Sequence, residues 1–172
     1  RTFPGADYRF LARVALNAAR AVAATHAAGC VIGDLNHSGF LVAADGRVAL
    51  IDADSFQFES GGIRHPCHVG VPEYTPPELQ GRPLSEVLRT ANHDAFGLAV
   101  ILFQILFMGR HPFAGVSASG DVTVPEAIAA HAFAYSRERA SGLSPPPAAA
   151  GLADLPGPVA MLFEAAFSPG GV

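Results

Sequence analysis

Two aspartates, Asp34 and Asp52, bracket a stretch that reads as a β-hairpin. Gly33-Asp34-Leu35-Asn36-His37-Ser38-Gly39 leads into the apolar run Phe40-Leu41-Val42; Asp45-Gly46 follows, and Val48-Ala49-Leu50-Ile51 ends at Asp52. Asp-Gly between two short runs rich in Val, Leu and Ile is a strong turn signal, because both residues accept the left-handed backbone that a tight reversal needs. Folding back there brings Asp34 and Asp52 to one site. One carboxylate that orients a hydroxyl, beside another that holds a divalent cation, is the minimum equipment for phosphoryl transfer. In that reaction the protein mostly positions groups and neutralises charge.

The elements that must carry this pair can be read from periodicity and punctuation. Leu11, Val14, Ala15, Ala18 and Val22 fall at helical spacing, and Gly29 stands just past Thr25-His26, so a helix is expected from about Asp7 to Ala28. After the hairpin, Ser60 to Pro77 shows no sustained period and is expected to be a long, mostly irregular surface loop. Ala95 to Met108 is the longest apolar stretch. It is shorter than the ~20 residues that cross a bilayer and is read as a buried core helix. Asn92-His93-Asp94 offers side chains to cap it, and Gly109-Arg110-His111-Pro112 stops it. A further helix is expected over Pro125 to Arg139, a proline-rich linker at Ser144-Pro145-Pro146-Pro147, and a short last helix from Pro158 to Phe167. The sum is a mainly α body with one small β-hairpin.

Composition limits what such a body can be. With 172 residues, half of them hydrophobic, and a mean hydropathy of +0.30, the chain can bury a real core and fits one domain or one lobe of a larger one. A net charge of −4 and eleven basic residues that form no stripe argue against a nucleic-acid footprint. All eleven are arginine; the chain has no lysine. Two cysteines, Cys30 and Cys67, are too few for a disulfide framework and suit a reducing, cytoplasmic compartment. No signal-peptide pattern opens the sequence, and no membrane partner is expected.

The order of these elements resembles the C-terminal lobe of a protein kinase over nearly the whole chain. Thr25-His26-Ala27-Ala28-Gly29-Cys30-Val31-Ile32-Gly33-Asp34 resembles the helix end and catalytic loop, with Asp34 at the aspartate of His-Arg-Asp. Val48-Ala49-Leu50-Ile51-Asp52-Ala53-Asp54 resembles the strand leading into Asp-Phe-Gly, and Val69-Gly70-Val71-Pro72-Glu73-Tyr74-Thr75-Pro76-Pro77-Glu78 the end of the activation segment at Ala-Pro-Glu. Asp94-Ala95-Phe96-Gly97-Leu98-Ala99 resembles the start of the buried helix whose aspartate holds the catalytic-loop backbone, and Gly109-Arg110-His111-Pro112-Phe113 the Gly-x-x-Pro-Phe turn. Five motifs in order imply the fold: residues 1–172 as one protein kinase-like C-lobe, half of an α+β two-lobe fold, cut at both ends. The wording around Asp94 is similar to a divergent bacterial kinase group, and abundant Ala and Arg suits a GC-rich bacterial genome.

The resemblance implies a site and names its gaps. Asp34 is the expected catalytic residue; Asp52 and Asn36 are the expected metal and nucleotide ligands, with Asp54 as a further metal ligand; Glu78 and Asp94 are expected to be structural. ATP with magnesium (Mg2+) or Mn2+ is the implied cofactor, and a protein the implied substrate. There is no Gly-x-Gly-x-x-Gly run and no lysine to pair the phosphates. The N-lobe is therefore expected from residues outside this chain or from a second chain. The arginine that would pair with Glu78 is expected beyond Val172. Ile32 and Gly33 stand where His and Arg would precede Asp34, so no receptor for a loop phosphate is expected there. Gly39 stands five residues past Asp34, where kinases place the asparagine for the second magnesium. Asp52-Ala53-Asp54 replaces Asp-Phe-Gly; if the strand stays extended, Asp54 projects to the side of Asp52 and substitutes for that ligand. Asn36 and Val71 replace the lysine and threonine that mark serine/threonine kinases, while Pro72-Glu73-Tyr74 still resembles that type.

Plainer readings stand beside these. Asp54 equally suits an Asx cap for Phe56, and Asn36 suits backbone satisfaction in a loop. His65-Pro66-Cys67-His68 lacks a second ligand pair at zinc spacing and reads as loop chemistry. Phe103, Phe107 and Met108 read as core, and Ser55, Ser60, Tyr74 and Thr75 as ordinary loop hydroxyls. Two functions follow: an ATP-dependent protein kinase in bacterial signalling, or alternatively a pseudokinase scaffold that binds nucleotide weakly or not at all. A small-molecule kinase of related fold is a third.

Overall fold

In the computed structural model, which describes residues 6–118 and 120–171, the first helix forms where the apolar spacing places it. α1 runs Tyr8–Ala27; Asp7 caps it by accepting from the Phe10 amide at 2.8 Å, and Val14, Ala15, Ala18 and Val22 form its buried face. It ends because Gly29, at φ 80°, lets the amides of Gly29 and Cys30 fold back onto the carbonyls of His26 and Thr25. The chain then runs through the loop that carries Asp34 into β1, Phe40–Val42, and β2, Val48–Leu50. The two pair antiparallel with Phe40 opposite Leu50 and Val42 opposite Val48.

Beyond that hairpin the structure departs from the sequence reading in its further strands and in the extent of the next helix. A second hairpin, β3 Phe58–Ser60 with β4 Ile63–His65, turning at Gly61-Gly62, occupies the start of the stretch expected to be irregular. All six of its strand residues are exposed, so no alternation of burial marks it; the Gly-Gly turn was its only signal. A third pair joins β5, Val116–Ser117, to β6, Leu143–Ser144, which ties down the start of the proline-rich segment. Among the described residues the strands thus form three two-stranded sheets rather than one hairpin. The helix expected over Pro125 to Arg139 is only α3, Val124–Ala129. His131 adopts φ 52°, and the amides of His131 and Ala132 close onto the carbonyls of Ile128 and Ala127. After this stop the consecutive residues Ala132, Phe133, Ala134 and Tyr135 are all buried, which a one-faced helix could not achieve.

The central element is α2, Ala91–Leu106. Its N-cap is Thr90 rather than any of Asn92, His93 or Asp94: Thr90 Oγ1 accepts from the His93 amide at 3.4 Å, and His93 Nδ1 accepts from the Thr90 amide at 3.1 Å. Phe103 is fully buried, with ring centroids of Phe107 at 4.0 Å, Tyr135 at 4.9 Å and Phe163 at 5.2 Å. Burying each such ring is worth about 1.5–3 kcal/mol. Phe103 and Phe107 are core as expected, but Met108 is 78% exposed. It sits at φ 54° where the helix has ended, so its side chain leaves the helical face. α4, Gly157–Ala166, adds Ala160 and Phe163 to the same core. Among the described residues no helix is long and apolar enough to cross a membrane.

Candidate active site

The site is built outward from the first turn of α2. Asp94 is 1% exposed; its Oδ2 accepts from the Ile32 amide at 2.7 Å and its Oδ1 from the Gly33 amide at 2.8 Å. His26 Nε2 lies 2.8 Å from the same Oδ2. A carboxylate can be buried this deeply because three groups satisfy it. One turn on, Gly97 lets the helix approach: a Cβ there would stand 2.9 Å from the Leu35 carbonyl oxygen and 3.3 Å from that of Tyr74. The loop 32–36 therefore rests on α2 through its backbone.

Asp34, half-buried, is held at one end only. Its Oδ1 accepts from Asn36 Nδ2 at 3.0 Å and from the Val71 amide at 3.1 Å, and among the described residues its Oδ2 accepts nothing. Asn36 is committed locally: its Nδ2 also reaches the Asp34 carbonyl at 3.1 Å, and its Oδ1 takes both the amide and the hydroxyl of Ser38, at 3.0 and 2.6 Å. Both lone pairs of that oxygen are in use, so serving a cation would cost Asn36 its Ser38 bonds.

Asp52 follows β2, exposed, with left-handed backbone at φ 60°. A non-glycine residue pays for that conformation by about 1 kcal/mol or more, and such positions cluster at functional sites. The strand end is pinned by the Ile51 amide donating to the Gly39 carbonyl at 2.9 Å. Asp34, Asn36, Gly39 and Asp52 consequently line one cleft of about 60 Å³. Asp54 does not. Ala53–Ser55 is a single 3-10 turn, so the extended alternation that would set Asp54 beside Asp52 is not formed. Nor does Asp54 cap Phe56, whose amide donates to the Ala53 carbonyl at 3.2 Å.

Among the described residues no three His, Cys, Asp or Glu side chains gather as a metal cage. Magnesium needs no such cage: one or two carboxylates with water and phosphate oxygens suffice, and the carboxylate of Asp52 at the cleft, without a partner among the described residues, fits that demand.

The other singled-out residues take ordinary places. Glu78 lies in the single turn Pro77–Leu79, with His93 Nε2 3.7 Å away. Cys67 is 1% exposed, its Sγ 3.4 Å from the Val69 carbonyl oxygen, and burial pushes its thiol pKa up. His65 stacks on Phe58 at 4.6 Å. Tyr74 and Thr75 are not loop hydroxyls. Both are buried, with Tyr74 Oη 3.0 Å from Gln104 Oε1 and 2.8 Å from His37 Nδ1, and Thr75 Oγ1 donating to the Val71 carbonyl at 2.9 Å.

Two residues at the site carried no sequence signal. Arg89, 3% exposed, donates Nη1 to the Gly33 carbonyl at 3.1 Å and Nη2 to the Val69 carbonyl at 3.0 Å. Gln57 holds the backbone of Arg89 in both directions, at 2.7 and 2.9 Å. An isolated arginine and an isolated glutamine outside any periodic element leave no pattern to read.

No protein-family model matches the chain. Over its whole length it is 44% identical to a protein named protein kinase YegI from Escherichia coli O157:H7, and 42% identical to the protein of the same name from strain K12. The chain spans 27% of the length of each. A solved ROP18 kinase domain in complex with AMP-PNP and sucrose aligns with 63% of this chain and 28% of its own, at 26% identity and a TM-score of 0.46.

Proposed function

We propose that this protein kinase-like C-terminal lobe is the catalytic-loop half of an ATP-dependent protein phosphotransferase of serine/threonine type. The observation that carries the reading is the state of Asp34: one oxygen anchored by Asn36 and the Val71 amide, the other open, in one cleft with Asp52. A carboxylate held in this way can orient an acceptor hydroxyl and take its proton without swinging away. Asp52 is the residue that would hold magnesium, which with bound ATP supplies the transferable phosphoryl group and neutralises its charge. The chain has no lysine for the phosphates, so that group and the Gly-rich cover come, in this reading, from other parts of a longer protein.

The second reading, a pseudokinase scaffold, is favoured by Gly39, which presents no ligand where a second magnesium would be held. Point changes in the full-length protein separate the two. Asp34→Asn is expected to lower turnover at least a hundredfold, roughly 3 kcal/mol of barrier, while sparing nucleotide affinity. Asp52→Asn is expected to cause a similar loss and to weaken the magnesium dependence of nucleotide binding. Wild-type protein that transfers no phosphate to itself or to a generic acceptor with Mg2+ or Mn2+, and whose nucleotide binding neither change alters, would leave the scaffold reading standing.

A further inference from the structure

The catalytic loop and the activation segment meet on a buried cation. Arg89 lies just before the N-cap of α2; its guanidinium is bonded to two main-chain carbonyls, and among the described residues its Nε has no partner and no carboxylate pairs with it. Burying a guanidinium without a counter-ion is expensive. A fold that does so without gaining anything at this position would be better served by a hydrophobic residue of the same size.

What the guanidinium joins indicates the gain. Gly33 immediately precedes Asp34, and Val69 lies two residues before Val71, whose amide donates to Asp34 Oδ1. The two carbonyls thus belong to the two segments that fix the Asp34 carboxylate. The surroundings are closed around the side chain: a Cβ on Gly33 would lie 3.3 Å from Arg89 Cγ, and one on Gly70 would lie 3.1 Å from Nη2. A side chain at position 33 is shut out altogether, since its Cβ would be 2.5 Å from that of Cys67, at φ 75°. The cation that the sequence lacks at position 33 enters from position 89 instead.

We propose that Arg89 is a positioning residue for phosphotransfer: its planar fork ties the activation segment to the catalytic loop through the carbonyls of Val69 and Gly33, so that Asp34 is set for catalysis with no phosphate on the loop. The inference rests on the phosphotransferase reading for its kinetic arm and on the geometry alone for its exchange arm. Two donors in a fixed plane can span two carbonyls at once, whereas a lysine ammonium is a point charge on a flexible stem.

The test uses the full-length protein with Arg89→Met and Arg89→Lys, read by kcat, by KM for ATP, and by amide hydrogen exchange over residues 66–75. For Arg89→Met the expected result is a kcat at least tenfold lower, KM for ATP within twofold, and exchange over 66–75 at least tenfold faster while α1 and α2 keep their protection. Arg89→Lys should fall between Met and wild type, and phosphatase treatment should leave the wild-type rate unchanged. Wild-type kcat in the Met variant, unchanged protection of 66–75, or a tenfold loss on phosphatase treatment each overturns the proposal. If Arg89→Met fails to fold, the lysine variant decides: a threefold or greater drop in kcat with local loss of protection supports the clamp, and wild-type behaviour overturns it. If the wild-type protein transfers no phosphate, the phosphotransferase reading fails and the exchange arm still decides whether the clamp exists.

Discussion

Two glycines at the site look alike as departures from the kinase pattern but differ physically. Gly33 is required, because Cys67 occupies the space a side chain would need. Gly39 is merely empty: an added Cβ would meet nothing closer than the Ile51 carbonyl oxygen at 4.0 Å, and its backbone is not left-handed. Position 39 also lines the cleft shared by Asp34 and Asp52. Gly39→Asn is therefore expected to fold, changing stability by less than about 1 kcal/mol, and to add a hard oxygen ligand to the cleft. Magnesium titration of nucleotide-bound full-length protein should show tighter metal binding by severalfold in this variant. Unchanged metal affinity with an intact fold would mean that the cleft does not hold the cation.

Among the elements, α2 acts as a platform whose approach to the loop is set by Gly97. Two effects compete in Gly97→Ala. Alanine raises intrinsic helix stability by about 0.8–1 kcal/mol over glycine, but its Cβ would sit 2.9 Å from the Leu35 carbonyl oxygen, a backbone atom that cannot swing aside. Overpacking of this kind costs about 1–3 kcal/mol, so the clash is expected to win and the variant to be less stable by about 1–2 kcal/mol in denaturant titration. The loop 32–36 must lift as the helix moves, so turnover should fall with stability. A variant more stable than wild type would show that the loop yields easily and that α2 does not set its height.

For the whole molecule, the pH dependence of stability follows from two histidines that are held neutral. Burial lowers the pKa of His111, whose Nδ1 accepts from the Phe113 amide while Nε2 bonds the Glu73 carbonyl. Burial likewise lowers that of His93, outweighing the opposing pull of Glu78. Above the ordinary value of 6.5, folded and unfolded chains both carry these rings neutral, and stability is full. Below it, the unfolded chain takes up protons that the folded one refuses, so stability falls as pH drops through that value. The exposed carboxylates Asp45 and Glu126, whose pKa values are lowered by hydrogen bonds to Arg47 and Thr123, lose their contributions only further down, in the carboxylate range. Denaturation midpoints are thus expected to be lower near pH 5.5 than near 7.5, with the difference reduced in His111→Gln. Equal midpoints at the two pH values would contradict the lowered pKa of both rings.

α1, the first hairpin, α2 and α4 were legible in the sequence because each is specified locally, by 3.6-residue apolar spacing, by Asp45-Gly46 and by glycine stops. The meeting of Asp34 and Asp52 at one cleft follows from that hairpin alone, since a reversal between them leaves their ends side by side. Local pattern misled where neighbours in sequence do not share a face: Ala53–Ser55 turns instead of extending, which removes Asp54 from the side of Asp52, and Ala132–Tyr135 is buried on every side, which ends α3 early. That Asp94 holds the catalytic-loop backbone was implied by the resemblance; only the tertiary structure decided which backbone groups it takes and what else holds Asp34. Asp94 reaches the amides of Ile32 and Gly33 from sixty-two and sixty-one residues away, Val71 donates to Asp34 across thirty-seven, and Arg89 reaches the Gly33 carbonyl across fifty-six. Such bonds join a side chain to a distant backbone group or two distant backbones through one side chain. A backbone amide or carbonyl is the same at every position, so no residue type in the sequence marks which one will be chosen.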